Sequence, residues 1–208
     1  RSTLFPYTTL FRSPYSGEDV IDLSVGEPDF DTPAVVAQAG LQAIQKGYTR
    51  YPPNVGLAEL RTAIAQQLSL LSGGRPVNPD HIVVSSGSKQ SLFNTCFTLF
   101  GPGQQVLIPS PAWVSYPQIV HLSRAEPVLV PGDPEWGLKV SVRDLDRHMT
   151  KSVRGLILCS PCNPTGAVYT AAELKAIAEW ARANRIWVVS DEIYRLYGDR
   201  KASCRERV

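Results

Sequence analysis

Val153-Arg154-Gly155-Leu156-Ile157-Leu158-Cys159 runs directly into Ser160-Pro161-Cys162-Asn163-Pro164-Thr165-Gly166, and Ile186-Trp187-Val188-Val189 runs into Ser190-Asp191-Glu192-Ile193-Tyr194. Between the two, Thr170 and Glu173 have the spacing of a capping box, in which a hydroxyl and a carboxylate each satisfy an orphan amide at a helix start. Leu174, Ile177, Ala178 and Ala181 fall on one face of the helix so opened. Apolar runs without alternation belong to strands covered on both faces, and a helix between two of them makes a parallel βαβ unit. In such sheets ligands sit outside the carboxyl ends of the strands. The residues after each run are therefore the candidates for chemistry.

The same alternation extends upstream. Val36, Ala39, Ala43 and Ile44 share a helical face after Pro33, and Leu57, Leu60, Ile64, Leu68 and Leu71 recur at steps of three and four. His81 to Ser85 reads as a strand, Ser88 to Phe100 as a helix, and Gly101-Pro102-Gly103 as a break. Gln105 to Pro109 is the next strand, Trp113 to Leu122 a helix, and Val128 to Val130 a strand. The expected fold class is α/β, with a mostly parallel sheet between helical layers. There are no internal repeats.

Hydrophobic residues make 43% of the chain and charged residues 19%, the balance of an ordinary globular protein. A formal charge of +2 gives no reason to expect nucleic acid or an anionic membrane. No run approaches the roughly 18 apolar residues that cross a bilayer. The ends differ from the middle. Residues 1–13 (RSTLFPYTTLFRS) hold a near-repeat bracketed by Arg-Ser, and residues 199–208 (DRKASCRERV) are a basic run without helical or strand period. Both look like translated adapter or cloning sequence and are set aside from the fold.

Of the cysteines Cys96, Cys159, Cys162 and Cys204, the pair Cys159 and Cys162 has the spacing of redox and zinc motifs. No second pair stands at ribbon spacing, and His81, His121 and His148 are scattered. Cys159 ends an apolar run, where a small buried thiol is ordinary. No metal site is expected, and nothing demands an oxidising compartment.

Four strands are followed by distinctive residues. Ser86-Gly87-Ser88-Lys89 opens a helix, where small residues let backbone amides reach a phosphate or simply cap the helix. Trp113, in Pro111-Ala112-Trp113, suits a flat heterocycle or a core position equally. The turn around Asn163 presents a rigid amide or serves the fold alone. Asp191, at a partly buried strand end, needs a partner, either an arginine or a protonated ring nitrogen. Tyr194 shares its cleft if a helical turn begins there.

Six runs in this order carry a resemblance: Val25-Gly26-Glu27-Pro28-Asp29-Phe30, Tyr51-Pro52-Pro53-Asn54-Val55-Gly56, Ser86-Gly87-Ser88-Lys89-Gln90, Pro111-Ala112-Trp113-Val114-Ser115-Tyr116, Ser160 to Gly166, and Ser190-Asp191-Glu192-Ile193-Tyr194. Over about residues 18–197 the chain resembles the class I/II, fold-type I aminotransferases, and within them the bacterial aspartate aminotransferases and their prephenate-using relatives. The resemblance implies a three-layer α/β/α fold and a pyridoxal 5'-phosphate cofactor. It implies transfer of an amino group between an acidic amino acid and a 2-oxo acid. It places Gly26 against the substrate α-carboxylate, and Gly87, Ser88 and Lys89 at the cofactor phosphate. Trp113 would lie on the ring, and Asn163 and Tyr194 at its phenolic oxygen. Trp113 and Asn163 would also line the substrate. Asp191 would hold the ring nitrogen protonated, and Tyr51 would reach the partner subunit's cofactor in a cytoplasmic homodimer. Cys162 stands where family members commonly have Asn.

By the same resemblance, residues 14–50 are the N-terminal arm and part of a small domain, and 51–198 part of the large cofactor-binding domain. The family's Schiff-base lysine lies beyond the Asp191 motif, and none of Lys46, Lys89, Lys139, Lys151, Lys175 and Lys201 matches it. The last two strands of the family's sheet would also follow residue 198. The chain by itself is thus expected to be an inactive fragment with an unpartnered strand at Ile82 to Ser85 and an open edge at Ile186 to Val189. Three other readings share these residues: a carbon–sulfur lyase or cyclopropane-forming synthase on the same scaffold, the aminotransferase-like sensor domain of a transcriptional regulator, and a redox or metal module at Cys159 and Cys162.

Overall fold

Strand β3 (Val153–Cys159) is the centre around which a computed structural model, describing residues 30–196, arranges the larger part of the chain. Its neighbours are β1 (Gln105–Ser110) on one edge and β4 (Trp187–Asp191) on the other, and β2 (Glu126–Pro131) lies beyond β1. The order is β2-β1-β3-β4, and every pairing is parallel. All four carboxyl ends therefore point the same way. The chain leaves β1 toward β2 and leaves β3 toward β4, so the winding reverses between β1 and β3.

The strand period of two sorts side chains onto two faces. Val106 and Ile108 of β1, Ile157 and Cys159 of β3, and Val189 of β4 pack with Leu92 and Cys96 of α3 (Ser88–Leu99) and with Tyr116, Ile119 and Val120 of α4 (Ser115–Leu122). Leu107, Leu156 and Leu158 point the other way. There they meet Leu145 of α5 (Val142–Arg147) and Ile177, Trp180 and Ala181 of α6 (Ala171–Asn184). Leu107, Ile108, Leu156 and Ile157 are almost wholly buried, each contributing on the order of 1.5–3 kcal/mol of transfer free energy. Sheet and two helical layers give the α/β/α architecture that the patterning implies.

The capping box of α6 is formed: Glu173 N donates to Thr170 Oγ1 at 3.3 Å, and Thr170 N donates to Glu173 Oε2 at 2.6 Å. The same glutamate takes an ion pair from Lys139 at 2.6 Å. A second capping box, Ser141 with Asp144, opens α5. Sequence patterning passed over α5, because it is too short to show an apolar period. Its signal was a serine followed three residues on by an acid.

The expected strand at His81 to Ser85 is not formed. His81 closes a 3₁₀ turn, Pro79–His81; Ile82 after it is extended, and residues 82–85 form no ladder. Val84 N donates to Val55 O at 3.0 Å, but among the described residues no strand lies alongside. A strand exists only where a neighbour takes its backbone groups. Among the described residues β4 is the last strand on its side of the sheet, as expected, with Trp187 and Val188 exposed. Residues 1–29 and 197–208, with Gly26, Lys201, Cys204 and both odd termini, lie outside the described residues.

The structure divides between Tyr51 and Pro52 into two compact units. The larger also holds α2 (Ala58–Leu71). The smaller contains α1 (Ala34–Gln45), which follows Pro33 as expected but buries none of its residues. Val36 and Ile44, expected on its apolar face, are exposed together with Val35 and Leu41.

Gly155 shows how closely the central strand is approached. A Cβ built there would collide with the Phe100 ring, which is itself buried. Gly155→Ala should destabilise the larger unit by about 1–3 kcal/mol, the usual cost of overpacking. Phe100→Leu in the same chain should recover part of that loss. Urea unfolding midpoints of the two variants measure both effects, and an unchanged midpoint for the alanine variant would show that the ring yields freely.

Candidate functional site

Asp191 ends β4 and is 8% exposed, one of two buried polar or charged residues among those described. Its register partner is Cys159, the last residue of β3. Among the described residues no arginine is paired with the carboxylate. Tyr116 Oη donates to Asp191 Oδ2 at 2.8 Å, and Ile193 N donates to Oδ1 at 3.1 Å. Tyr116 is 3% exposed. Burial, followed by the contacts with Cys159 and Asp191, raises its phenol far above the ordinary tyrosine range, so it stays a protonated donor. The sequence reading placed Tyr116 in a motif but gave it no role. Its signal was the step of three from Trp113 into a helix, which sets both side chains on neighbouring faces.

Trp113 precedes α4 rather than opening it, and is half-buried. It packs edge-on against Tyr116, ring centroids 5.4 Å apart. Lys89 Nζ stands 5.0 Å from the Trp113 ring centroid. A cation over an exposed aromatic face is worth about 0.5–1 kcal/mol, weak enough for a flat ligand to displace. Trp113, Tyr116 and Asp191 thus make one connected chain of contacts from the end of β1 to the end of β4, across the point where the winding reverses.

The turn after β3 closes on itself. Cys162 N donates to Ala167 O at 2.9 Å, and Gly166 N donates to Cys162 O at 2.7 Å. This leaves the Asn163 side chain free of the turn's own hydrogen bonding. Asn163 Nδ2 reaches Tyr194 Oη at 3.4 Å. The structure therefore brings together the amide and the phenol that the sequence placed at separate strand ends. Two polar groups at that distance can share one acceptor oxygen.

Gly87 is the N-cap of α3, at φ 86°, a left-handed conformation that side chains rarely adopt, and a Cβ there would meet nothing within 4 Å. Gly87, Ser88 and Lys89 are exposed. The helix start thus offers first-turn amides, the positive end of the dipole and a lysine to solvent, a combination suited to an anion. Gln90 Oε1 accepts from Ser86 N at 2.6 Å and fixes the loop ahead of it. Tyr51, in the smaller unit, is fully exposed. Among the described residues no cluster of histidine, cysteine or acid side chains could hold a metal, and no helix is long and apolar enough to cross a membrane.

Residues 18–204 match the family model "Aminotransferase class I and II". A bifunctional aspartate aminotransferase and glutamate/aspartate-prephenate aminotransferase of Petunia hybrida is 47% identical over 180 residues, covering 86% of this chain and 37% of the plant protein. Two solved structures are similar in fold. The aspartate aminotransferase of Rhizobium meliloti has a TM-score of 0.80 at 39% identity, over 85% of this chain and 44% of its own. The aromatic aminotransferase of Pyrococcus horikoshii has a TM-score of 0.85 at 40% identity, over 93% and 51%. The chain spans half or less of the length of the curated relatives cited.

The Tyr116–Asp191 contact carries a test of the site's own stability. Tyr116→Phe removes the only side-chain donor seen on a buried carboxylate and should lower unfolding stability by about 1–3 kcal/mol, the cost of an unsatisfied buried group. Tyr116→Phe combined with Asp191→Asn should cost less than the two single effects added, because the pair shares one interaction. Strict additivity in denaturant titrations would show that the hydroxyl and the carboxylate are energetically independent.

Proposed function

The chain belongs to the class I and II aminotransferases, and on that premise we propose that it carries part of the cofactor-binding domain of a pyridoxal-phosphate-dependent transaminase acting on an acidic amino acid and a 2-oxo acid. The observation that supports this best is the position of Asp191. It is a buried carboxylate at a strand end, held by a neutral phenol at 2.8 Å rather than by a cation. Among the described residues no cation of the fold is paired with it, which leaves it open to a cationic ligand in the cleft.

The residues present fit the cofactor. The open Gly87 cap with Ser88 and Lys89 suits a phosphate, Trp113 suits one face of an aromatic ring, and Asn163 with Tyr194 suits an oxygen on that ring. When bound, the cofactor supplies an electron sink for the charge released at the substrate α-carbon. Asp191 would face the ring nitrogen and favour its protonated form, as an acidic side chain beside a titratable nitrogen does. Tyr116 holds that carboxylate in one orientation. Asn163 and Tyr194 would hold an oxygen on the ring, and Trp113 would cover one of its faces. Gly26 would give the substrate carboxylate room.

A homodimer fits two features. Tyr51 is fully exposed, as a residue reaching a partner's cofactor must be, and α1 leaves Val35, Val36, Leu41 and Ile44 uncovered. A cytoplasmic setting fits the free thiols Cys96, Cys159 and Cys162. The relatives divide between acidic and aromatic amino acids in their names, and Lys89 favours the acidic class, because its ammonium stands at the mouth of the cleft without an acidic partner.

Two substitutions in the full-length enzyme test the reading. Asp191→Asn should leave the cofactor bound but lower turnover by about 10²-fold, since a hydrogen bond to a charged group is worth up to roughly 3 kcal/mol. Turnover near that of the unchanged enzyme would mean that Asp191 serves the fold alone. Lys89→Ala should lower kcat/KM for aspartate and glutamate more than for an apolar or aromatic donor. An equal loss on both classes would assign the lysine to the phosphate and leave the acidic preference without support.

A further inference from the structure

We propose that Cys159 and Cys162 form a peroxide-responsive thiol pair, in which Cys162 is the sulfur first oxidised and Cys159 the thiol that resolves it as a disulfide. The two differ in the ways that such a pair requires. Cys159 is the buried last residue of β3, and Cys162 is half-buried on the turn beyond it. Both line one small cavity at the reversal of the winding, together with Tyr116, Pro111 and Tyr169. Neither sulfur is committed to a strong partner: Cys159 Sγ donates to Pro161 O at 3.2 Å and Cys162 Sγ to Pro111 O at 3.7 Å. Each thiol perturbs the other's ionisation, in opposite senses.

That mutual influence separates their chemistry. Chiefly through the Cys159 thiol, with help from Thr165, Cys162 is lowered to about 6, while Cys159 is raised by Cys162 and by burial. At neutral pH Cys162 is therefore the nucleophile. Its thiolate attacks a peroxide oxygen, the O–O bond breaks, and the hydroxide released takes up the proton that Cys162 had lost. Cys162 becomes a sulfenic acid. Cys159 sulfur then attacks Cys162 sulfur, its proton leaves with the displaced hydroxide as water, and an S–S bond forms. Two thiols are oxidised by two electrons, and hydrogen peroxide is reduced to two waters. Cys96, fully buried and raised to about 11 by burial alone, takes no part. Closure would draw Cys159 away from Tyr116, the donor to Asp191, and would pull on the turn that carries Asn163. The pair is thus coupled to both ends of the cleft.

The full chain with Cys204→Ser, reduced and desalted, is the material for the test. Brief exposure to hydrogen peroxide at neutral pH should remove two hydrogens, with peptide mapping placing the link between Cys159 and Cys162 and dithiothreitol reversing it. With Cys159→Ser added, Cys162 should stop at a sulfenic acid that dimedone captures; with Cys162→Ser added, Cys159 should stay unmodified. Absence of the link, or a Cys162 that reacts no faster than Cys96, would overturn the proposal. A second measurement does not depend on oxidation: at pH 6, iodoacetamide should capture Cys162 about tenfold faster in native buffer than in guanidinium chloride, after allowance for the weaker nucleophilicity of a low-pKa thiolate. Equal rates in the two solvents would also sink it.

Discussion

Strand β3 is bonded on both edges and covered on both faces, and the remaining architecture follows from that one condition. A strand so placed must have apolar side chains in both directions, which Leu156, Ile157 and Leu158 supply. It must also let its neighbours come close, which Gly155 allows beneath the Phe100 ring. With β1 and β4 fixed on either side, α4 and α6 are sent to opposite faces. The loops after β1 and β3 then diverge and leave a cleft between them. The cleft follows from the winding rather than from any residue within it.

What makes the cleft chemical is the burial of Asp191 against a phenol. A carboxylate held by arginine would be electrically spent. Held by Tyr116, it has its hydrogen bonding satisfied without a cation. Because Tyr116 also touches Trp113 and Cys159, the ring face, the carboxylate and the thiol pair share one mechanical unit. Substitutions at Tyr116 should therefore report on all three.

The two edges of this arrangement are less settled than its middle. On the outer side of β4, Trp187 and Val188 present apolar surface, and among the described residues no strand pairs with that edge, the kind that invites association with another strand. Ile82 to Ser85 has the composition of a strand and the extended backbone of one at Ile82, but scattered bonds hold it in place of a ladder: Val84 N to Val55 O, Ile82 N to Pro79 O and Arg61 Nε to Ile82 O. Both features agree with a chain that matches half or less of the length of the curated relatives cited.

The sequence by itself determined the alternation of elements, because apolar period is a local property. The run from Val153 to Cys159, the capping box of Thr170 and Glu173, and the helices after Pro33 and Gly87 were all legible in this way. It also singled out Gly87, Lys89, Trp113, Asn163, Asp191 and Tyr194, since each stands where a strand ends or a helix begins. Tertiary structure alone decided what those residues touch. No spacing rule joins Tyr116 to Asp191 across 75 positions, or Asn163 to Tyr194 across 31. Those contacts arise from the strand order, which side-chain pattern leaves open because a parallel pair reads the same whichever strand lies beside it. For the same reason Ile82 to Ser85 looked like a strand and was not one: pattern describes what a segment can pair with, and only the fold supplies the partner.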